Sequence, residues 1–163
     1  MALQDNPSRA DLSRLLVAAD AEVDPHLLVG LCCERAADDP LSVSLLVPAD
    51  DDSGAWSEGS ARAVRLVGHA ATLLDAEGLR LEDVIVADED DVEVDRLVRF
   101  GGFDALLVCA PRGRVLSSGL SVAVRSARLH GLTVLGGIHR AAGPANWLRR
   151  VFDPLGHRPE SAA

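Results

Sequence analysis

The sequence contains no lysine and no tyrosine; all 16 of its basic residues are arginine, and its aromatics are three phenylalanines and two tryptophans. Without lysine there is no P-loop lysine, no Schiff-base amine and no Ser–Lys dyad. A response-regulator reading fails for the same reason, because no lysine can follow the fifth strand. Scarce aromatics on a chain of net charge −9 give neither the stacking rings nor the broad basic face that nucleic acid requires. No apolar run approaches the roughly 20 residues that span a bilayer, so no membrane partner is expected. Cysteine is scarce too: Cys32, Cys33 and Cys109 make no disulfide framework, and no leader pattern precedes them, which predicts a reducing, cytoplasmic setting. The five histidines are scattered, with no pair at ligand spacing on one element, and predict no metal site.

What is present is a hydrophobic fraction of 48% over 163 residues, enough for one domain with a core. The charge is uneven. From Pro111 onward there are eight arginines against Asp153 and Glu160, a net of +6, whereas residues 1–110 carry −15. Such asymmetry is either an arginine-rich end on an acidic surface or an anion-binding loop in the basic third.

Short apolar runs fall at Arg14–Ala19, Ser42–Val47, Asp83–Ala87, Ala105–Cys109 and Leu132–Leu135. Each is apolar on both faces, as in a parallel strand covered on both sides. Helical signals fill the gaps. Asp24-Pro25 is a cap with a first-position proline before His26–Asp38. Glu58–Asp75 places Val64, Val67, Ala71 and Leu74 on one stripe and ends at Gly78. Asp90, Asp91 and Glu93 open a third helix that stops at Gly101-Gly102. Gly119–His130 places Leu120, Ala123 and Ala127 on one face and stops at Gly131. Five strands alternating with four helices predict a doubly wound α/β fold, a five-stranded parallel sheet of order 3-2-1-4-5. Residues 1–13 read as an N-terminal arm, 14–137 as the domain and 138–163 as a tail, in which Trp147, Leu148, Val151 and Phe152 make a short apolar stripe.

In such a sheet a ligand sits beyond the carboxyl ends of the strands where the order reverses, here between the first and fourth. That brings Asp20 opposite Cys109–Gly113. The segment Arg114–Gly119 then leads into the last helix, whose N-terminal amides, with Ser117 and Ser118, suit a phosphate; Arg112 and Arg114 add positive charge. The same glycines and serines also serve as ordinary turn and cap residues.

From Arg14 to Gly136 the chain resembles a universal stress protein domain. Leu-Leu-Val-Ala-Ala-Asp20 is similar to that family's opening strand, Ser-Leu-Leu-Val47-Pro to its second, Phe-Asp-Ala-Leu-Leu-Val-Cys-Ala-Pro-Arg-Gly113 to its fourth strand and loop, and Leu-His-Gly-Leu-Thr-Val134 to its closing helix and strand. The resemblance implies a regulatory domain, homodimerisation and ATP or another adenine nucleotide as ligand, with at most weak nucleotide hydrolysis. It carries the adenosine contacts to Asp20 and Val47, and the phosphate loop to Ala110, Arg112, Gly113, Arg114, Ser117, Ser118 and Gly119. The chain departs from the family's phosphate pattern: Ala110 stands where its first glycine would be, and five residues, not nine, separate Gly113 from Gly119. Leu120 follows Gly119 in place of a hydroxyl residue, and Ala21-Glu22 replaces the Gly-Ser after the first aspartate, bringing an acid toward the phosphates.

Two alternatives stand beside this reading. One is an interaction or dimerisation module whose crevice binds no nucleotide, pairing through the fifth strand or the Trp147–Phe152 stripe. The other is a loose similarity to class I glutamine amidotransferase-like domains, whose nucleophile turn would fall at Gly136-Gly137-Ile138-His139 and here holds no cysteine. Cys32 and Cys33 read as packing residues inside a helix. Cys109 ends a strand at the crevice and is the thiol to test for reactivity.

Overall fold

The alternation of apolar runs and amphipathic segments produces nine elements: β1 Ser13–Ala19, α1 Pro25–Asp38, β2 Leu41–Ala49, α2 Glu58–Ala76, β3 Arg80–Asp88, α3 Asp91–Phe100, β4 Ala105–Pro111, α4 Ser118–Leu129 and β5 Thr133–His139. The structure is a computed structural model and describes residues 13–38, 40–49, 58–88, 91–111 and 115–139. The strands form one sheet of order β3-β2-β1-β4-β5, and every pairing is parallel. This is the expected fold and strand order.

Strand direction explains the two cores. Odd residues of β1 and β2 (Leu15, Val17, Ala19, Val43, Leu45, Val47) pack with Leu28 and Leu31 of α1 and with Leu66, Ala70 and Leu74 of α2. Even residues (Leu16, Ala18, Leu46) face Val94 and Val98 of α3 and Leu120, Ala123 and Ala127 of α4. Helices before the order reverses lie on one face and those after it on the other, as right-handed crossovers require. All nine residues of β2 are buried, the pattern of a strand covered on both sides.

The helix boundaries follow from local chemistry. Asp24 Oδ1 accepts from His26 N–H at 2.9 Å, leaving Pro25 at the first helical position, where its missing N–H costs nothing. Gly78 and Gly131 close α2 and α4 at φ +72° and +75°, a left-handed conformation that glycine adopts without strain.

Three expectations need correction. The buried stripe of α2 is Ala63, Leu66, Ala70 and Leu74, with Val67 packed partly buried beside it, whereas Val64 is 58% exposed; of the stripe read in the sequence, Val67 and Leu74 face the core and Val64 does not. The strands run longer than their apolar centres, and β5 continues through Ile138 and His139, past the boundary at 137. Gly136–His139 are therefore strand residues paired with Val108–Pro111. They form no turn, which removes the site of the amidotransferase-like alternative. The arm to residue 12 and the tail from Arg140, including the Trp147–Phe152 stripe, lie outside the described residues.

Candidate functional site

The crevice arises because β1 is outrun by both of its neighbours. The ladder from β1 to β2 ends at Ala18↔Leu46 and that to β4 at Ala19↔Cys109, whereas β2 continues through Pro48 and Ala49, and β4 through Ala110 and Pro111. Both prolines lie where β1 no longer offers a partner, so their lack of an N–H breaks no bond toward it. Asp20 forms the floor of the opening. Its N–H donates to the Cys109 carbonyl at 2.9 Å, and its own carbonyl accepts from Val23 N–H at 3.1 Å. Its carboxylate Oδ1 accepts from Glu22 N–H at 2.9 Å, an Asx turn that fixes the side chain half-buried at the reversal. Val47 lies one residue beyond the last β1 pairing and is aligned with Val86 of β3. Ala110, half-buried, stands on the far side.

The α4 end of the predicted site divides by role. Ser117 is the N-cap of α4, and its Oγ accepts from Leu120 N–H at 3.4 Å. Gly119 is buried; a Cβ there would come within 2.8 Å of Pro48 Cβ and 2.9 Å of Cγ. Its glycine lets the first turn of α4 close on the end of β2. Ser118, exposed, opens the helix between them. Arg112, Gly113 and Arg114 lie outside the described residues. Thus Asp20, Val47, Ala110 and the first turn of α4 all gather at the carboxyl edge of the central strands.

Glu22 does not charge the crevice as its position in the sequence suggested. Its Oε1 pairs with Arg62 Nη1 of α2 at 2.9 Å. Arg62, with Arg65, His69 and Leu66, borders a shallow groove of about 200 Å³ closed on the other side by Ala21, Val23 and Pro25. These residues were not singled out in the sequence. Only their three- and four-residue spacing on α2 could have signalled a shared face.

Cys109 is 1% exposed, and burial pushes its thiol up to about 12. Cys32 is raised as well, by burial first and then by the nearby Cys109 and Cys33. A nucleophile must be a thiolate, so Cys109 serves as core. Among the described residues no cluster of three or more His, Cys, Asp or Glu could hold a metal ion, and no helix is long and apolar enough to cross a membrane.

One polar constellation escaped the sequence reading altogether. Arg14 at the start of β1 reaches Glu82 with Nε at 3.3 Å and Nη2 at 3.2 Å. It also donates through Nη1 to the Gly101 carbonyl and lies over the Phe103 ring at 5.2 Å. Glu82 is the residue inserted where the β2–β3 register shifts, between Leu81 (opposite Val43) and Asp83 (opposite Ser44). This cluster lies at the amino edge of the sheet, opposite the crevice, and is structural.

No family model matches the chain, and no curated protein matches it. Among solved structures the chain is similar to a protein from the universal stress protein family from Burkholderia pseudomallei, at 20% identity over 80% of this chain and 98% of that one, with a TM-score of 0.46. The likeness is one of fold and assigns no residue a role.

Proposed function

We propose that the chain is a ligand-sensing regulatory domain of the universal stress type, a binding module and not a catalyst. Its ligand is an adenine nucleotide in the crevice between β1 and β4. The observation that carries this reading is Asp20, held by its own backbone and side-chain hydrogen bonds at the point where the strand order reverses, at the same carboxyl edge of the sheet at which the first turn of α4 meets Pro48. A ribose hydroxyl would donate to the carboxylate, Val47 would present a backbone group to the base, and the amides of the α4 N-terminus would meet a phosphate. The pairing of Glu22 with Arg62 supports the reading, because it relieves the repulsion an acid there would exert.

The test is a thermal titration with ATP, ADP and AMP. A ligand at 100 times its dissociation constant adds about 2.7 kcal/mol. No shift with any of the three at millimolar concentration refutes the reading. Asp20→Asn keeps the acceptor for Glu22 N–H but removes the charge. It should weaken binding about tenfold, the difference between a charged and a neutral hydrogen bond; unchanged affinity would remove Asp20 from the site.

A second reading, an interaction module that binds no nucleotide, is favoured by the sheet edge: β5 is paired only with β4 among the described residues. A homodimer by light scattering that shows no nucleotide response would favour it.

A further inference from the structure

The groove between α2 and the β1–α1 turn lies on the α1–α2 face of the sheet, whereas the first turn of α4, which completes the crevice, belongs to the other face. Its α2 wall carries Arg62, Arg65 and His69, and its other wall is Ala21, Val23 and Pro25. At 100° per helical residue, positions 62, 65, 66 and 69 fall within an arc of about 100°, so two guanidiniums and an imidazole share one stripe with Leu66. Leu66 and Val23 are each 4% exposed and make an apolar floor, around which the three polar side chains stand exposed.

The charge of the groove runs against that of the chain. Residues 1–110 carry a net −15, yet among the described residues no carboxylate lines this groove. Glu22, between Ala21 and Val23 in the chain, pairs with Arg62 and so steadies the rim. Arg65 Nε donates to the Ala61 carbonyl of its own helix at 3.3 Å, a bond that leaves both Nη groups for a ligand. Among the described residues no ion pair engages Arg65 or His69.

A cleft lined by one sign of charge over a low-dielectric floor concentrates its field on a counter-ion. Guanidinium N–H groups match the oxygens of a phosphate, and an imidazole N–H adds a donor. The volume of about 200 Å³ is below the roughly 300–1,000 Å³ of sites for drug-sized molecules. That is too small for a nucleotide and suits one phosphoryl group on a short body.

We propose that this groove binds a small phosphate, either the inorganic ion or a short phosphomonoester, with Arg65 and His69 donating to its oxygens and Arg62 at the rim. The site is independent of the nucleotide crevice.

The experiment is calorimetric titration of the full-length chain with inorganic phosphate and with glycerol 3-phosphate, at an ionic strength held constant with sodium chloride. Saturable binding at one site is expected. Tighter binding of glycerol 3-phosphate identifies a phosphomonoester site, and tighter binding of inorganic phosphate identifies a site for the free ion. Arg65→Gln should weaken binding about tenfold, the loss of a charged hydrogen bond, and His69→Gln should weaken it severalfold. Both positions are exposed, so Tm without ligand should not fall. Arg65→Lys should recover only part of the loss, because an ammonium lacks the paired donors. No saturable binding of either compound at millimolar concentration overturns the proposal. So does an affinity that Arg65→Gln leaves unchanged, because the phosphate then sits elsewhere on the chain.

Discussion

Replacing Arg14 by Met keeps most of the apolar stem over Phe103 but removes the guanidinium. Two N–H donors to Glu82 and one to the Gly101 carbonyl go with it. The Glu82 side chain is only 4% exposed, whereas that of Arg14 is 31% exposed. Removing one partner of a fully buried pair costs about 3–5 kcal/mol, and an exposed pair contributes about 0–1 kcal/mol. A half-screened arginine on a buried carboxylate lies between, and the expected loss is about 2–3 kcal/mol. In a chain of this size that corresponds to a fall in Tm of about 5–10 °C. Adding Glu82→Gln removes the carboxylate's need for a cation, so the double variant should regain about 1 kcal/mol over Arg14→Met alone. Urea unfolding measures all three, read as shifts in midpoint at constant slope. A loss under about 0.5 kcal/mol, or a double variant no more stable than Arg14→Met, would show that the bulge at Glu82 is held by something else.

Two glycines in helices should respond oppositely to alanine. Gly119→Ala drives a Cβ into Pro48 and should cost about 1–3 kcal/mol. Gly68→Ala, in the middle of α2 with nothing within 4 Å, should add about 0.5–1 kcal/mol; denaturant midpoints check both. The buried Cys109 thiol stays protonated while its unfolded counterpart ionises from its ordinary value of 9.0. The unfolded state therefore binds fewer protons between pH 9.0 and about 12, and stability falls as pH rises through that window by about 1.4 kcal/mol per unit. Cys109→Ala should make that alkaline limb shallower in pH-dependent unfolding, leaving the part that belongs to Cys32, whose thiol is also raised by burial, and an unchanged limb would contradict the burial argument. Ser42 Oγ is buried without a hydrogen-bond partner among the described residues, so Ser42→Ala should be neutral or stabilising by up to about 1 kcal/mol, measured as a Tm shift.

The fold was legible wherever a local rule had one solution. Gly78 and Gly131 ended their helices at positive φ, Asp24-Pro25 began one, and apolar runs covered on both faces could only be parallel strands. The placement of Asp20 followed from strand order alone. Misreadings came where two solutions looked alike. On α2 the sets Val64, Val67, Ala71, Leu74 and Ala63, Leu66, Ala70, Leu74 are both spaced by threes and fours and share Leu74, and only contact with the sheet decides between them. The strands at Pro48 and Pro111 run past the apolar centres read in the sequence: Pro48 lies inside β2 and Pro111 closes β4, both beyond the last pairing with β1. Arg14 and Glu82 are 68 residues apart and meet through a register shift that no local pattern announces. The sequence order of Glu22 placed it near the crevice, but its side chain turned to Arg62, a partner 40 residues away.

The same long-range pairings narrow where charge for a phosphate can come from. Arg14 is held at the opposite edge of the sheet by Glu82, Arg62 is engaged by Glu22, and Arg125 and Arg128 line the outer side of α4. Chain connectivity leaves Arg112 and Arg114 between Pro111, at the end of β4, and Val115, just before α4. If the crevice holds a nucleotide, these two arginines supply its side-chain charge, and their effect must grow with the number of phosphates. Arg112→Gln with Arg114→Gln should therefore weaken ATP by about tenfold and AMP by clearly less, with Asp20→Asn weakening both alike because it touches the nucleoside. Calorimetric titration of the three nucleotides against both variants resolves the pattern. Equal losses for ATP and AMP in the arginine variant would mean that these two arginines do not meet the outer phosphates.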